Sequence, residues 1–305
     1  MENIETFLAS VPKVVADCFG QGRPADYIPA LAEVNPEKFG MAISCVDGHD
    51  FVVGDAEERF SIQSISKLFG LSLAMHYAGE SVFDRVGVEP SGTVFNSLSQ
   101  LDYENGIPRN PFINAGALVI SDILLEYLDS PKREFLDVVR GLSNNLDVHY
   151  DEQMFRSEYD HGHRNAALCH YLKSFGNIKH DTSRVLDLYF YQCALSMSSL
   201  DLARSFRFLA QDGRHPYRTE PVVSKVQARR INSLMMTCGT YDEAGEFAFH
   251  VGLPCKSGVG GGIVAIIPGE MSICVWGPEL GEKGNSVAGT KALEHFVHQT
   301  GHSIF

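Results

Sequence analysis

The residues best suited to chemistry in this chain are a serine and a lysine three positions apart. They sit in the run Phe60-Ser61-Ile62-Gln63-Ser64-Ile65-Ser66-Lys67-Leu68-Phe69-Gly70-Leu71. A hydroxyl is a poor nucleophile until a neighbour takes its proton. An amine can do so once burial lowers its pKa. On a helix, positions i and i+3 share a face, so the spacing predicts the Ser64 hydroxyl and the Lys67 amine within hydrogen-bond reach. Ile65, Leu68, Phe69, Leu71 and Leu73 would bury the rest of that helix. Alone, the tetrapeptide also reads as an N-cap serine followed by a solvated lysine. A lysine in the first turn opposes the helix dipole, which asks for a special reason.

A second motif lies far downstream, Lys256-Ser257-Gly258-Val259-Gly260-Gly261-Gly262. A Lys-Ser/Thr-Gly strand edge is the companion of Ser-x-x-Lys in the penicillin-recognising serine enzymes. Glycines let backbone approach a ligand closely, and an exposed N–H at this edge could stabilise an oxyanion. The bland reading is a glycine-rich turn before a core strand. A phosphate loop is not expected, because the Walker spacing is absent. Both motifs together, in this order, are far more specific than either. The third motif of the penicillin enzymes, Ser-Asp-Asn or Tyr-x-Asn, has only Ser143-Asn144-Asn145 as a poor stand-in.

Other polar residues are ambiguous one at a time. Glu158-Tyr159-Asp160-His161 reads alone as a solvated loop, Asn114 as a cap and Tyr189 as core. His161-x-His163, with Cys169 and His170 nearby, offers zinc-type ligands. The spacing fits no common zinc pattern, and a polar loop accounts for the histidines. No metal and no cofactor are expected.

The elements that would position these groups can be read from periodicity. Apolar residues from Ile4 to Phe19 are spaced for a helix, ended by Gly20-Gln21-Gly22-Arg23-Pro24. Residues 41–46 and 51–53 flank Asp47-Gly48, a hairpin signal. From Gly79 to Pro111 the chain is loop-like, and a loop of that length suggests function. Helical patterns follow at about 113–128, from Pro131, and at 166–175, 184–193, 199–210 and 224–236, with no convincing strand between Gly79 and Thr237. Two strands then flank Pro268-Gly269, and 286–299 closes as an amphipathic helix. The expected fold class is α+β. One mainly antiparallel sheet is built from both chain ends, 1–63 and 237–305, with flanking helices, and 64–236 is an inserted, mainly helical domain. A pocket between the two is the default ligand site.

Bulk properties narrow the partners. The chain has 305 residues, 44 % of them hydrophobic and 21 % charged, with a net charge of −13. That balance argues against nucleic acid or an anionic membrane as the main partner. The acidic N-terminus lacks a signal-peptide pattern, and no apolar run is long enough to span a membrane. Seven scattered cysteines, with no Cys-x-x-Cys pair, read as reduced residues of a cytosolic chain.

Taken together, the residues match a known family. The chain resembles the serine-dependent bacterial glutaminases, which share the β-lactamase-like fold. The resemblance runs over nearly the whole length. It rests on Asp26-Tyr27-Ile28-Pro29, Ser64-Ile65-Ser66-Lys67, Asn110-Pro111-Phe112-Ile113-Asn114-Ala115-Gly116-Ala117, Ser157-Glu158 with Arg164-Asn165, Tyr189 with Gln192-Cys193, Tyr241, and Lys256-Ser257-Gly258-Val259. Cys255, where a small residue is expected, is a minor departure. The resemblance implies hydrolysis of L-glutamine to L-glutamate and ammonia through an acyl-enzyme on Ser64, activated by Lys67. It implies an oxyanion hole from the Ser64 and Val259 amides, with Lys256, Ser257 and Gly258 in support. Tyr27, Asn114, Glu158, Asn165, Tyr189 and Tyr241 would line the glutamine site, with Tyr241 carrying a proton near the leaving amine. A homo-oligomer, tetramer or dimer, is also implied. The chemistry is coherent, since a carboxylate can pair with the substrate ammonium while tyrosine and asparagine donate to its carboxylate. The rivals are a β-lactamase or penicillin-binding-type hydrolase using the same serine, and a silent glutamine-binding protein.

Overall fold

A computed structural model of the chain describes residues 2–92 and 99–305. The loop-like stretch 79–111 therefore lies partly outside the described residues; its described part includes a 3-10 turn, Gly79–Asp84. The strands are β1 Gly40–Cys45, β2 Asp50–Gly54, β3 Arg59–Ser61, β4 His149–Tyr150, β5 Leu195–Ser198, β6 Cys255–Ser257, β7 Gly262–Ile267 and β8 Met271–Trp276. The helices are α1 Glu2–Val15, α2 Pro29–Ala32, α3 Ser66–Ala78, α4 Ser99–Tyr103, α5 Asn114–Tyr127, α6 Pro131–Ser143, α7 Glu152–His161, α8 His163–Ser174, α9 Thr182–Cys193, α10 Ser199–Ala210, α11 Lys225–Cys238, α12 Ala244–His250 and α13 Val287–Thr300.

The main sheet has five antiparallel strands in the order β2-β1-β8-β7-β6. β1, from near one end of the chain, pairs with β8, from near the other, in the register Met41↔Val275 and Ile43↔Ile273. The sheet is thus built from both ends, as expected. The two hairpin turns carry Gly48 and Gly269 at positive φ, 99° and 88°, a conformation that L side chains rarely adopt.

Side-chain alternation explains why these strands read as apolar throughout. Met41, Ile43, Ile263, Ala265, Ile273 and Val275 face Phe7, Leu8, Val11, Leu293 and Phe296 of α1 and α13. Ala42, Val264, Ile266, Cys274 and Trp276 face the other way, into a cluster with Phe206, Phe208 and Leu209 of α10. Both faces are covered, so neither keeps a polar stripe. α10 begins with a capping box, Ser198 Oγ accepting from Asp201 N at 3.1 Å and Asp201 accepting from Ser198 N at 3.0 Å. It packs directly on β1, β7 and β8, so this helix of the 64–236 segment is also one covering layer of the sheet.

The middle of the chain corrects the expectation that it lacks strands. β5 pairs with β3 (Phe60↔Met197) and with β4 (Tyr150↔Leu195), making a second sheet of three strands. With only Leu195 and Met197 facing the core, and Ala194 alone separating it from α9, β5 is too short to show an alternation. The stretch around Glu158 is likewise helix α7, not loop. Asp151 caps it by accepting from Gln153 N and Met154 N, and only Met154 and Glu158 of its side chains are buried.

α3 is the central helix of the molecule. Every residue from Ser66 to Met75 is buried, which accounts for its lack of a polar face.

Candidate active site

Ser64 does not lie in α3 itself. It occupies a 3-10 turn, Gln63–Ile65, joining β3 to the helix, and Gln63 has a left-handed backbone with φ of 49°. Lys67 is in the first turn of α3 and is 3 % exposed. The turn is clamped from the other motif. A Cβ on Gly258 would lie 2.6 Å from Ile62 O and 3.2 Å from Ser64 N, and one on Gly260 would lie 2.1 Å from Ser61 O. Only glycine permits this approach, which sets Val259 beside the Ser64 amide. Among the described residues, no backbone carbonyl accepts from the Ser64 or Val259 N–H. Ser257 turns away from the cavity, its Oγ donating to Gly239 O at 3.4 Å.

The Lys67 amine differs in one respect from the spacing argument. It donates to Phe112 O at 3.1 Å and to Asn114 Oδ1 at 2.6 Å, rather than being held on its own helix. Asn110 fixes the first of these acceptors by taking bonds from Phe112 N and Ile113 N at 3.0 and 3.1 Å. Asn114, at the start of α5, also donates Nδ2 to Asn165 Oδ1 of α8 at 2.9 Å. Burial lowers the Lys67 pKa to about 8, against the pull of the neighbouring Cys193 and Glu158. Lys256 is wholly buried too, donating to Gly239 O at 3.1 Å and to Ser257 O. Burial first, and then repulsion from Lys67, drives its pKa well below the ordinary lysine range.

Tyr241 follows α11 in a left-handed conformation, φ 56°. Its hydroxyl lies 3.5 Å from Ser257 O and shares a hydrogen bond with Ser64. Lys256 Nζ stands 4.9 Å from its ring centroid. Burial pushes the phenol up to about 12, and the Ser64 bond pulls the other way.

Above Ser64 opens a cavity of about 290 Å³. Tyr27, Gln63, Ser64, Asn114, Glu158, Asn165, Tyr189 and Val259 line it, with Arg164, His161 and Cys193. Tyr27 is 55 % exposed at its mouth. Glu158 reaches in from α7 and is buried; desolvation raises it to about 7, while the Gln63 side chain and the Lys67 charge lower it. Tyr189 on α9 is buried and holds its proton firmly, sharing a hydrogen bond with Cys193. Burial keeps Cys193 protonated, up to about 12. Tyr241, Lys67 and Lys256 lie behind or beside the wall rather than on it.

Seven of the residues that the resemblance assigns to the substrate site and oxyanion hole therefore meet on one cavity wall, and the lysines lie beneath it. Gln63 was not singled out. Its sequence signal is only a polar residue in an apolar run. Asn144 and Asn145 are elsewhere; Asn144 ends α6 with φ 52° and Asn145 binds Asp201. His161 and Cys169 are separated, the first on the cavity and the second buried in the core beside Thr182. Among the described residues no group of three possible metal ligands occurs. Cys255 packs in the core between the sheet and the terminal helices.

Comparison with known proteins is extensive. Residues 22–305 match the glutaminase family model. Glutaminase 2 of Escherichia coli K12 is 56 % identical over 299 residues, covering 98 % of this chain and 97 % of that protein. A glutaminase of Klebsiella pneumoniae is 53 % identical over 303 residues, covering 99 % and 97 %. Among solved structures, a Bacillus subtilis glutaminase has a TM-score of 0.87 at 36 % identity, covering 98 % of this chain and 99 % of that one. It was solved as a covalent complex with 5-oxo-L-norleucine, formed by reaction with 6-diazo-5-oxo-L-norleucine.

Proposed function

The chain belongs to the glutaminase family and hydrolyses L-glutamine to L-glutamate and ammonia; from that premise we propose that it does so through an acyl-enzyme on Ser64. The observation that carries this reading is the pair of acceptors around Lys67. A neutral amine has two N–H hydrogens, and Phe112 O and Asn114 Oδ1 take both. Its lone pair is then left for the Ser64 proton. Ser64 Oγ attacks the side-chain amide carbon, and the oxygen charge that develops is met by the Ser64 and Val259 amides. Tyr241, which keeps its proton in the working pH range, passes it to the leaving nitrogen, and the proton that Lys67 took from Ser64 restores the phenol. Ammonia leaves; water, deprotonated along the same path, cleaves the ester and regenerates Ser64.

Glu158 holds the substrate ammonium as a charge-assisted pair, and Tyr27, Asn114, Asn165 and Tyr189 hold its carboxylate and orient it. The cavity's size, at the low end for small-molecule sites, suits a free amino acid rather than a protein side chain. Lys256, with Gly258 and Ser257, supports the oxyanion edge by holding Gly239 and Tyr241. We read 1–63 with 237–305 as the sheet domain and 64–236 as the mainly helical one, with Ser64 at their junction. We also infer a cytoplasmic homo-oligomer, tetramer or dimer. Among the described residues no helix is long and apolar enough to cross a membrane. Ammonia release from L-glutamine, set against asparagine and a penicillin-type substrate, tests the activity; light scattering tests the assembly.

A further inference from the structure

Trp276, the single tryptophan of the chain, ends β8 and is 1 % exposed. It pairs with Gly262 of β7, which has no side chain to stand beside it. A Cβ on Gly262 would lie 2.8 Å from Phe60 Cε2, so the Phe60 ring occupies that place. There the ring stacks on the indole, with centroids 4.9 Å apart and planes 3° from parallel. Phe60 belongs to β3, the strand that leads into the Ser64 turn. The face of the indole therefore joins the five-stranded sheet to the three-stranded one.

The edge of the indole reaches the glycine loop. Nε1 donates to Gly260 O at 3.0 Å. Val259 and Gly260 are the central residues of a tight turn, closed by Gly261 N donating to Gly258 O at 2.9 Å, with Gly261 at φ 93°. Among the described residues no backbone N–H donates to Gly260 O. The indole supplies that donor instead. A buried tryptophan N–H ordinarily finds some acceptor. Here the acceptor is one residue from the Val259 amide, while the ring lies on the strand that delivers Ser64.

We propose that Trp276 is a positioning residue that spaces the two arms of the oxyanion hole, its face against the strand leading to Ser64 and its N–H on the turn that presents Val259. The proposal rests on the Ser64 and Val259 amides receiving the oxyanion. It also accounts for the residue type: phenylalanine and leucine have no donor, and histidine lacks the breadth to cover Phe60. Neither contact touches the cavity wall, so the substrate's α-groups are held without it.

Two replacements separate the donor from the packing. Trp276→Phe keeps an aromatic face and removes the N–H. Exchange of Trp276 for β-(3-benzothienyl)alanine keeps the whole shape and puts sulfur where the N–H was. A third protein, with Val259 replaced by its α-hydroxy acid, has an ester in place of the Val259 amide and so lacks that oxyanion donor. Each is assayed with L-glutamine across pH, well below its Tm. Deleting an oxyanion donor outright costs on the order of 10²–10³ in kcat. Loosening one should cost less, so both Trp276 replacements are expected to lower kcat roughly 10- to 10²-fold, with KM and the Lys67 limb of the pH profile unmoved. A benzothienyl protein with native kcat would overturn the proposal, whatever its Tm. So would a loss that raises KM or moves the limb, because the indole would then act on substrate binding or on the base. If the Val259 ester keeps native kcat, the oxyanion reading falls and takes this one with it. If the ester alone lowers kcat, the role of Trp276 is wrong and the oxyanion reading stands.

Discussion

Asn114 Oδ1 accepts a hydrogen bond from Lys67 Nζ at 2.6 Å while its Nδ2 donates to Asn165 at 2.9 Å. The amide cannot flip without facing the lysine with a donor, so α8 sets which acceptor the lysine meets. Burial of the amine lowers its pKa, while this acceptor fixes where one of its hydrogens points. The expectations below follow from that arrangement.

Ser64→Ala should fold and lose ammonia release. Removing the nucleophile of a serine hydrolase costs on the order of 10⁶ in kcat in a well-studied case. Thermal unfolding should be unchanged within error. Activity within an order of magnitude of the native protein would rule out the covalent path.

The pH profile should carry a limb from Lys67, whose pKa is lowered to about 8. Activity rises with pH through that value, as the amine becomes free to accept a proton. Lys67→Arg should remove the limb along with the activity, since a guanidinium does not deprotonate usefully. The same shift has a sign for stability. The folded state binds fewer protons than the unfolded one between about 8 and the ordinary lysine value, so the cost of burying the charge is greatest at lower pH and is relieved as pH rises through that window. Urea unfolding of the native protein and of Lys67→Met across this range should converge at high pH. Parallel curves would show that burial does not lower the pKa of this lysine.

Glu158→Gln keeps the shape and removes the charge. Breaking one side of a buried pair costs roughly 2–5 kcal/mol, largely because the other charge is left unpaired. A loss of that size in kcat/KM is expected for L-glutamine and a much smaller one for glutaric acid monoamide. Asparagine should be poor with either protein, because its amide stops one methylene short of Ser64 when its α-groups are anchored. Equal losses on the two longer substrates would make Glu158 a structural residue.

Gly260→Ala tests the clamp on the Ser64 turn. Its Cβ would lie 2.1 Å from Ser61 O, so β3 or the glycine loop has to shift. Overpacking of this kind costs roughly 1–3 kcal/mol, and a lower Tm with a lower kcat is expected. A variant as stable and as active as the native protein would show that the two motifs are not held together by this contact.

Much of this was legible beforehand, for identifiable reasons. The two main hairpins could be placed because Asp47-Gly48 and Pro268-Gly269 supply the turn chemistry between apolar runs. α10 could be read from 199 to 210 because its apolar periodicity is long and uninterrupted. β5 could not, since four residues leave only two facing the core. Glu158 was visible only through its company; its own neighbours are polar because α7 lies on the surface and buries little besides Met154 and Glu158. Gln63 was invisible for a different reason. What distinguishes it is a backbone angle and a carboxylate brought close only by tertiary structure, and neither leaves a mark on a linear sequence.

The pairing of β1 with β8 fixes the order in which the protein can become an enzyme. Met41 and Val275 are partners about 230 residues apart, so the centre of the sheet stays open until nearly the whole chain has been synthesised. The glycine loop that clamps the Ser64 turn lies between β6 and β7, in the same late segment. A nascent chain halted before β6 carries Ser64, Lys67 and Glu158, yet lacks the glycine loop that closes over the Ser64 turn and brings Val259 to it. Ribosome-bound intermediates should be inert toward glutamine, with activity arriving in one step as the last strands and α13 emerge.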